Sequence, residues 1–452
     1  MKTIYILGYN IYAVATAIIL RNFFGYNADV RIVDLKKQGS NVPVVMDSKL
    51  IKIILDLNDI SVEQFLKETN GVPVVGSVYK NFYKRGSLHI KTNDTANEDL
   101  LVYKKALNPK MTSEEEIEYT SKLASQLKGN LIDKNINDDY AFTFDSVKAT
   151  NFLCKEVFQK KLQGRIIDCN IKNIVFKENG YIEFLETSIN RGLPLVAGLY
   201  IDCSDDLFKH KPEQTHYNNS IITASFPYKN KKEQIINSKC YIAKDNGYIM
   251  ERCLWNRIEV NYFFNKHYLT GKQATFVIGD HILKSHKIYY KHFDIKDIVR
   301  NSNYNYYNKD VIDFTYDNNW VEPLVDNPLD ILIKKAFKLV DLFEDGVIFS
   351  QMYKNHFNEE CRKIDREAEK NYLMFLSKTE NNYNSYWSKI FEADVVTVLD
   401  LKNCVKDIIK HKTFDPEYYE KLWEKELLFL DNYNNMTDKL ERMITFMERI
   451  NK

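Results

Sequence analysis

Gly8, Asn10 and Ala13, followed by Asp34, have the spacing of a nucleotide-binding turn. In such a turn the first small residue allows a tight bend after a strand. The second lets backbone approach a pyrophosphate, and the third lets the following helix pack on the strand. A helix N-terminus favours a phosphate through its free N–H groups and dipole, and an acid closing the next strand can accept from a ribose hydroxyl. Asn10 departs from this pattern, because it places a side chain where phosphate oxygens would sit. Asn tolerates the positive φ such a turn can need. Taken alone, the motif admits both a dinucleotide turn and a plain α/β turn.

Other chemistries find less support. Seven cysteines are scattered and none forms a Cys-x-x-Cys pair, which points to free thiols. His210 lies between two lysines, and His286, His292 and His411 read as isolated, so no metal site is expected. No Gly-x-Ser-x-Gly elbow and no P-loop occur, and the lysine run at 229–232 reads as solvated surface.

The elements that must position Gly8 and Asp34 are short and apolar. Residues 4–7 read as a buried strand, 13–23 as an Ala- and Ile-rich helix, and 30–33 as a second strand. Helical patterns follow at 49–57 and 62–68, and 72–79 reads as extended. Residues 105–140 look like a polar insertion with a helical stretch near 114–127, and 147–162 like an amphipathic helix. Strands are expected at 166–171, 174–177, 181–186 and 195–203, and β-type segments over 215–290. A loop is expected over 297–309, and helix after Pro323. The pattern at 418–450 suits packing on its own domain, or a helix that joins copies in a homo-oligomer or binds a partner.

The chain has 452 residues, 44% hydrophobic and 28% charged, which excludes disorder, collagen and coiled coil as descriptions of the whole. A net charge of +1 gives no global argument for nucleic acid or an anionic membrane, and neither partner is expected. With no signal-peptide core and no long apolar run, the expectation is a soluble cytoplasmic protein.

Several segments in order resemble the flavin-dependent tryptophan halogenase family. They are ISVEQFLKETN at 60–70, LYIDCS at 199–204, GYIMERCLWNR at 247–257, WVEPL at 320–324 and the stretch 374–387. The resemblance implies a Rossmann-like FAD-binding α/β fold with a mostly helical C-terminal region. The expected division is a discontinuous FAD-type domain over 1–330, with β-rich insertions at about 72–145 and 205–290, and a helical region over 331–452. It also implies FAD as cofactor, reduced by a separate flavin reductase. In that family, reduced flavin, oxygen and halide give hypohalous acid, which a lysine and a glutamate direct onto tryptophan.

Set against that pattern, the chemistry-bearing positions are replaced. Val74 stands where the catalytic lysine belongs, and Val325 where the glutamate belongs. Lys80 and Asp326 are the substitutes within reach of a register slip. Asp326 also reads as the start of the helix that follows. Tyr248, Met250, Arg252 and Cys253 stand over the family's Trp-x-Trp-x-Ile-Pro segment. Thr315, then Tyr316 and Asp317, replace a flavin-loop glycine, and Val44, Val45 and Met46 replace the flavin strap. The resemblance therefore implies a halogenase-like protein that is not a competent tryptophan halogenase, with FAD binding weakened or lost. The alternative is a catalytically inactive structural or partner-binding module on the same fold.

Overall fold

A computed structural model describes residues 2–25, 27–35, 42–74, 76–83, 86–91, 141–188, 194–204, 218–229, 238–244, 246–298, 306–324, 327–344 and 350–376. They fall into two compact units. The first draws on Met1–Gly71, Phe144–Thr215 and Val299–Arg366, and the second on Val72–Thr143, His216–Ile298 and Glu367–Lys452.

The first unit is built on a six-stranded sheet. Its order is Tyr307–Asn308, Val311–Asp313, Leu199–Asp202, Lys2–Leu7, Ala28–Asp34, Arg165–Asp168. All neighbours run parallel except the first pair, an antiparallel edge. A parallel strand buried on both faces reads as a continuous apolar run, as Ile4, Tyr5, Ile6 and Leu7 do here. The helix Ile11–Phe24 crosses between Lys2–Leu7 and Ala28–Asp34, and its residues Ile11 to Leu20 are all buried. Pro328–Glu344 packs against it, with Phe23 and Phe337 edge to face at 5.9 Å. The Rossmann-like α/β architecture expected from the sequence is present.

Several of the expected strands of this unit shift. Leu199–Asp202 is shorter than the run 195–203 suggested. Leu195 and Ala197 fold back instead, their backbone groups bonded to the Tyr200 hydroxyl. Ile171–Phe176 and Ile182–Thr187 form a separate antiparallel pair, turned at Gly180 with φ +75°.

The second unit holds a seven-stranded sheet. Its order is Asp294–Asp297, Ser220–Pro227, Arg257–Phe264, Gly247–Cys253, Ser238–Lys244, Gly76–Tyr83, Gly86–Lys91. One face is covered by the helix Gly271–His286, which buries Ala274, Ile278 and Ile282 against Ile222, Phe226, Ile249 and Val260. This helix lies inside a stretch expected to be β-type. Its β-branched residues favour strand, but a capping box at Thr270 and Gln273 starts it. The spacing of Ala274, Ile278 and Ile282 then sets a helical stripe.

The extended run at 72–79 is likewise two strands. Val72–Val74 pairs antiparallel with Ala141, Phe142 and Thr143, whereas Gly76–Tyr83 joins the seven-stranded sheet. Lys80 and Val74 therefore sit on different strands of different sheets, and their shared parity along one strand does not hold.

Pro328–Glu344 and Gln351–Leu376 are the helices after Pro323 of more than one turn in the described residues. The expected insertion at 105–140, the pattern at 418–450, Trp387 and Trp423 lie outside the described residues, as do Val325 and Asp326. No described helix is long and apolar enough to cross a membrane.

Candidate functional site

In an open parallel sheet, ligands bind beyond the carboxyl ends of the strands where the winding reverses. Here that point lies between Lys2–Leu7 and Leu199–Asp202, so the crevice is lined by Gly8 on one side and Cys203 and Ser204 on the other. Gly8 has φ +111°, and a Cβ built there would lie 3.1 Å from the carbonyl carbon and oxygen of Cys203. A left-handed backbone and a close approach both demand glycine. Gly8→Ala is expected to cost about 1–3 kcal/mol. Urea unfolding of the two proteins checks this, and an unchanged midpoint would remove the argument for a constrained turn.

Asn10 occupies the centre of the crevice. Its backbone is extended, with φ −146°, so the positive φ that asparagine tolerates is not used. Its side chain does two things at once. Oδ1 accepts from the Ala13 N–H at 3.0 Å, capping the helix, and Nδ2 donates to the Cys203 carbonyl at 2.7 Å, with the residue only 7% exposed. The amide thus ties the helix N-terminus to the neighbouring strand end.

Around this tie the other loop ends are also turned inward. Asp202 accepts from both the backbone N–H and hydroxyl of Ser204, at 2.9 and 2.6 Å. Thr315 has its hydroxyl on Asp313 at 2.7 Å. Tyr316 packs on Tyr12, ring centres 5.9 Å apart. Asp317 follows it, half-buried on the one-turn helix Tyr316–Asn319. Asp34 closes its strand as expected and is half-buried. Nearby, Tyr9 donates to Asn151 at 3.1 Å. Burial pushes the Tyr9 phenol up, and pushes the thiols of Cys154 and Cys169 up to about 11. These thiols stay protonated and are poor nucleophiles.

An FAD-type dinucleotide can be tested against these groups. Gly8 and Asp34 fit the turn and the ribose acid. The phosphate cradle does not fit, because Asn10 already uses the Ala13 N–H and bridges the space that a second glycine would leave open. Val45 and Met46, at the strap position, are buried in the strand Val45–Ser48, while Val44 is exposed.

In the second unit, Val74 is 2% exposed. Lys80 is half-buried opposite Ile242. Tyr248, Met250 and Arg252 share one face of their strand. Tyr248 stacks on Phe263 at 4.9 Å, Met250 is buried, and Arg252 pairs with Glu259 at 2.6 Å. This face is a packed core with a buried ion pair.

The opposite face carries a constellation that the sequence reading missed. Glu251 Oε1 lies 2.7 Å from His281 Nε2 and 2.8 Å from His286 Nε2. His286 is therefore not isolated, contrary to expectation. The five-residue spacing of the two histidines carries no metal-site signature, and Glu251 comes from a strand remote in sequence. Burial alone would raise the Glu251 carboxyl, but hydrogen bonds from the two imidazoles outweigh it and hold its pKa at about 2.

No protein-family model and no curated protein sequence matches the chain. Solved structures do. A tryptophan 6-halogenase (SttH) from Streptomyces toxytricini superposes with TM-score 0.72 at 16% identity, over 89% of this chain and 84% of that one. Xcc4156, a flavin-dependent halogenase from Xanthomonas campestris, gives 0.73 at 13% identity, over 100% and 95%. A tryptophan halogenase from Shewanella frigidimarina gives 0.71 at 13% identity, over 99% and 95%. With a parallel sheet wound about Gly8 and coverage close to complete, the chain has the fold of the flavin-dependent halogenases.

Proposed function

We propose that this protein keeps the halogenase fold without tryptophan-halogenating chemistry. The observation that carries this reading is Val74, a buried apolar side chain at the position where the family's catalytic lysine belongs. Valine neither transfers a proton nor holds a hypohalite. Arg252, in the segment matching Trp-x-Trp-x-Ile-Pro, is engaged by Glu259, and Glu259 also accepts from Asn261 at 2.7 Å. That face offers packing around a buried ion pair.

With reduced FAD, oxygen and chloride or bromide supplied, free tryptophan is expected to stay unmodified. Mass spectrometry of the mixture is the measurement. Halotryptophan above the no-protein control, and absent with Lys80→Ala, would overturn the proposal and make Lys80 the catalytic lysine.

Gly8 and Asp34 favour a second reading, a flavoprotein fed by a separate flavin reductase and performing another oxidation. Tight FAD binding by the unaltered chain would support it.

A further inference from the structure

We propose that Glu251, His281 and His286 form a binding site for a divalent transition metal, with Zn2+ as the ion the donor set fits. One carboxylate oxygen and two imidazole nitrogens converge, all within 4.8 Å of one another. Two histidines and one glutamate are a donor set used by zinc sites that keep an open fourth position.

The geometry needs little adjustment. In a tetrahedral site with metal–ligand bonds of about 2.0–2.1 Å, ligand atoms stand roughly 3.3 Å apart. The two Oε1–Nε2 separations are 2.7 and 2.8 Å, so each must open by about half an ångström. The two imidazole nitrogens lie within 4.8 Å of each other, so side-chain χ rotations have to open the first two separations and set the third. A dication at the common centre would face the same three atoms.

The setting supports the assignment. The triad sits at the end of an apolar face formed by Ile242, Ile249, Ile282 and Phe226, and the Phe226 ring lies 5.2 Å from that of His286. His281 is 8%, Glu251 18% and His286 19% exposed, so one side is shielded and the other open to a solvent ligand. His286 is the last residue of its helix, where the dipole favours a cation. Cys240 stands across the ladder from Glu251 and Cys253 two residues on, but neither belongs to the converging set. Lys284 is paired with Asp280 at 2.8 Å on the solvent side of the helix. A bound ion would staple the helix end to the sheet and stabilise the unit through linkage.

The test uses the full chain, stripped with chelator and titrated with ZnCl2 by calorimetry, and with Co2+ followed by its visible bands. One metal per chain and a raised thermal midpoint are expected. Glu251→Gln, His281→Ala and His286→Ala should each weaken binding by about tenfold or more, while His292→Ala, at an exposed histidine, should not. If a histidine variant fails to fold, X-ray absorption on the unaltered zinc-loaded chain decides. Two imidazoles and one carboxylate oxygen in the first shell are expected. Sulfur ligation, binding unaffected by Glu251→Gln, or no binding beyond that of a triple variant would overturn the proposal.

Discussion

Lys335→Ala is expected to destabilise the first unit by about 3–5 kcal/mol. The Lys335 side chain is 0% exposed, and its Nζ lies 2.8 Å from Asp365 Oδ1, itself 4% exposed. The ammonium also lies 4.1 Å from the centre of the Tyr306 ring, whose hydroxyl donates to Asp365. Among the described residues Nζ has no aligned hydrogen-bond acceptor, so its stabilisation comes from charge on charge and charge on the ring face. Removing the lysine leaves Asp365 buried with, among the described residues, the Tyr306 phenol as its remaining donor. That uncompensated carboxylate, more than the lost attraction, sets the size of the effect. Lys335→Met with Asp365→Leu should cost far less, since no charge is then stranded. Urea unfolding monitored by far-UV circular dichroism measures both. A single-variant loss below about 1 kcal/mol would place the pair in the range of solvated surface bridges.

Lys335 also marks where sequence reading stops. The apolar positions Leu332, Ala336, Leu339 and Val340 were legible as one helical face, and all are buried. On a helix covered on one side only, Lys335 would belong to the solvated face. It is buried because Gln351–Leu376 brings Asp365 onto it. A pairing between separate helices leaves no periodic trace in either. Glu251 repeats the lesson, with one ligand on a strand and two on a helix whose β-branched residues hid it.

What was legible followed from local physics. Doubly buried parallel strands give unbroken apolar runs, so the opening strand–turn–helix–strand unit could be read directly, along with the acid that ends it. Order and type of several later segments carried the fold. The extended, apolar character of Val72–Val74 could be read from the sequence alone. That Val72–Val74 and Gly76–Tyr83 join different sheets could not, because both strands are extended and the sheet change is a tertiary event.

The remaining prediction concerns Asn10. Asn10→Gly is expected to tighten FAD binding by about tenfold or more. Glycine is itself an acceptable N-cap, so the exchange costs the helix only a few tenths of a kcal/mol. The lost bond from Nδ2 to Cys203, 2.7 Å in length, adds roughly 1 kcal/mol to the cost. Against this, the Ala13 N–H is freed at a helix N-terminus, where a phosphate is a better acceptor than an amide oxygen. A hydrogen bond to a charged group contributes roughly 1.5–3 kcal/mol, and about 1.4 kcal/mol is tenfold in affinity. Asn10→Ala separates the two effects. It removes the cap at about 1 kcal/mol but keeps a Cβ in the crevice, so its gain in affinity should be smaller. Asp34→Ala in the Asn10→Gly background should reverse much of the gain, because the ribose acid is then missing. Titration of FAD against protein fluorescence gives all four constants. If the unaltered chain already binds FAD at sub-micromolar concentration, or Asn10→Gly leaves the affinity where it was, the asparagine tie is a helix cap alone and does not close a nucleotide site.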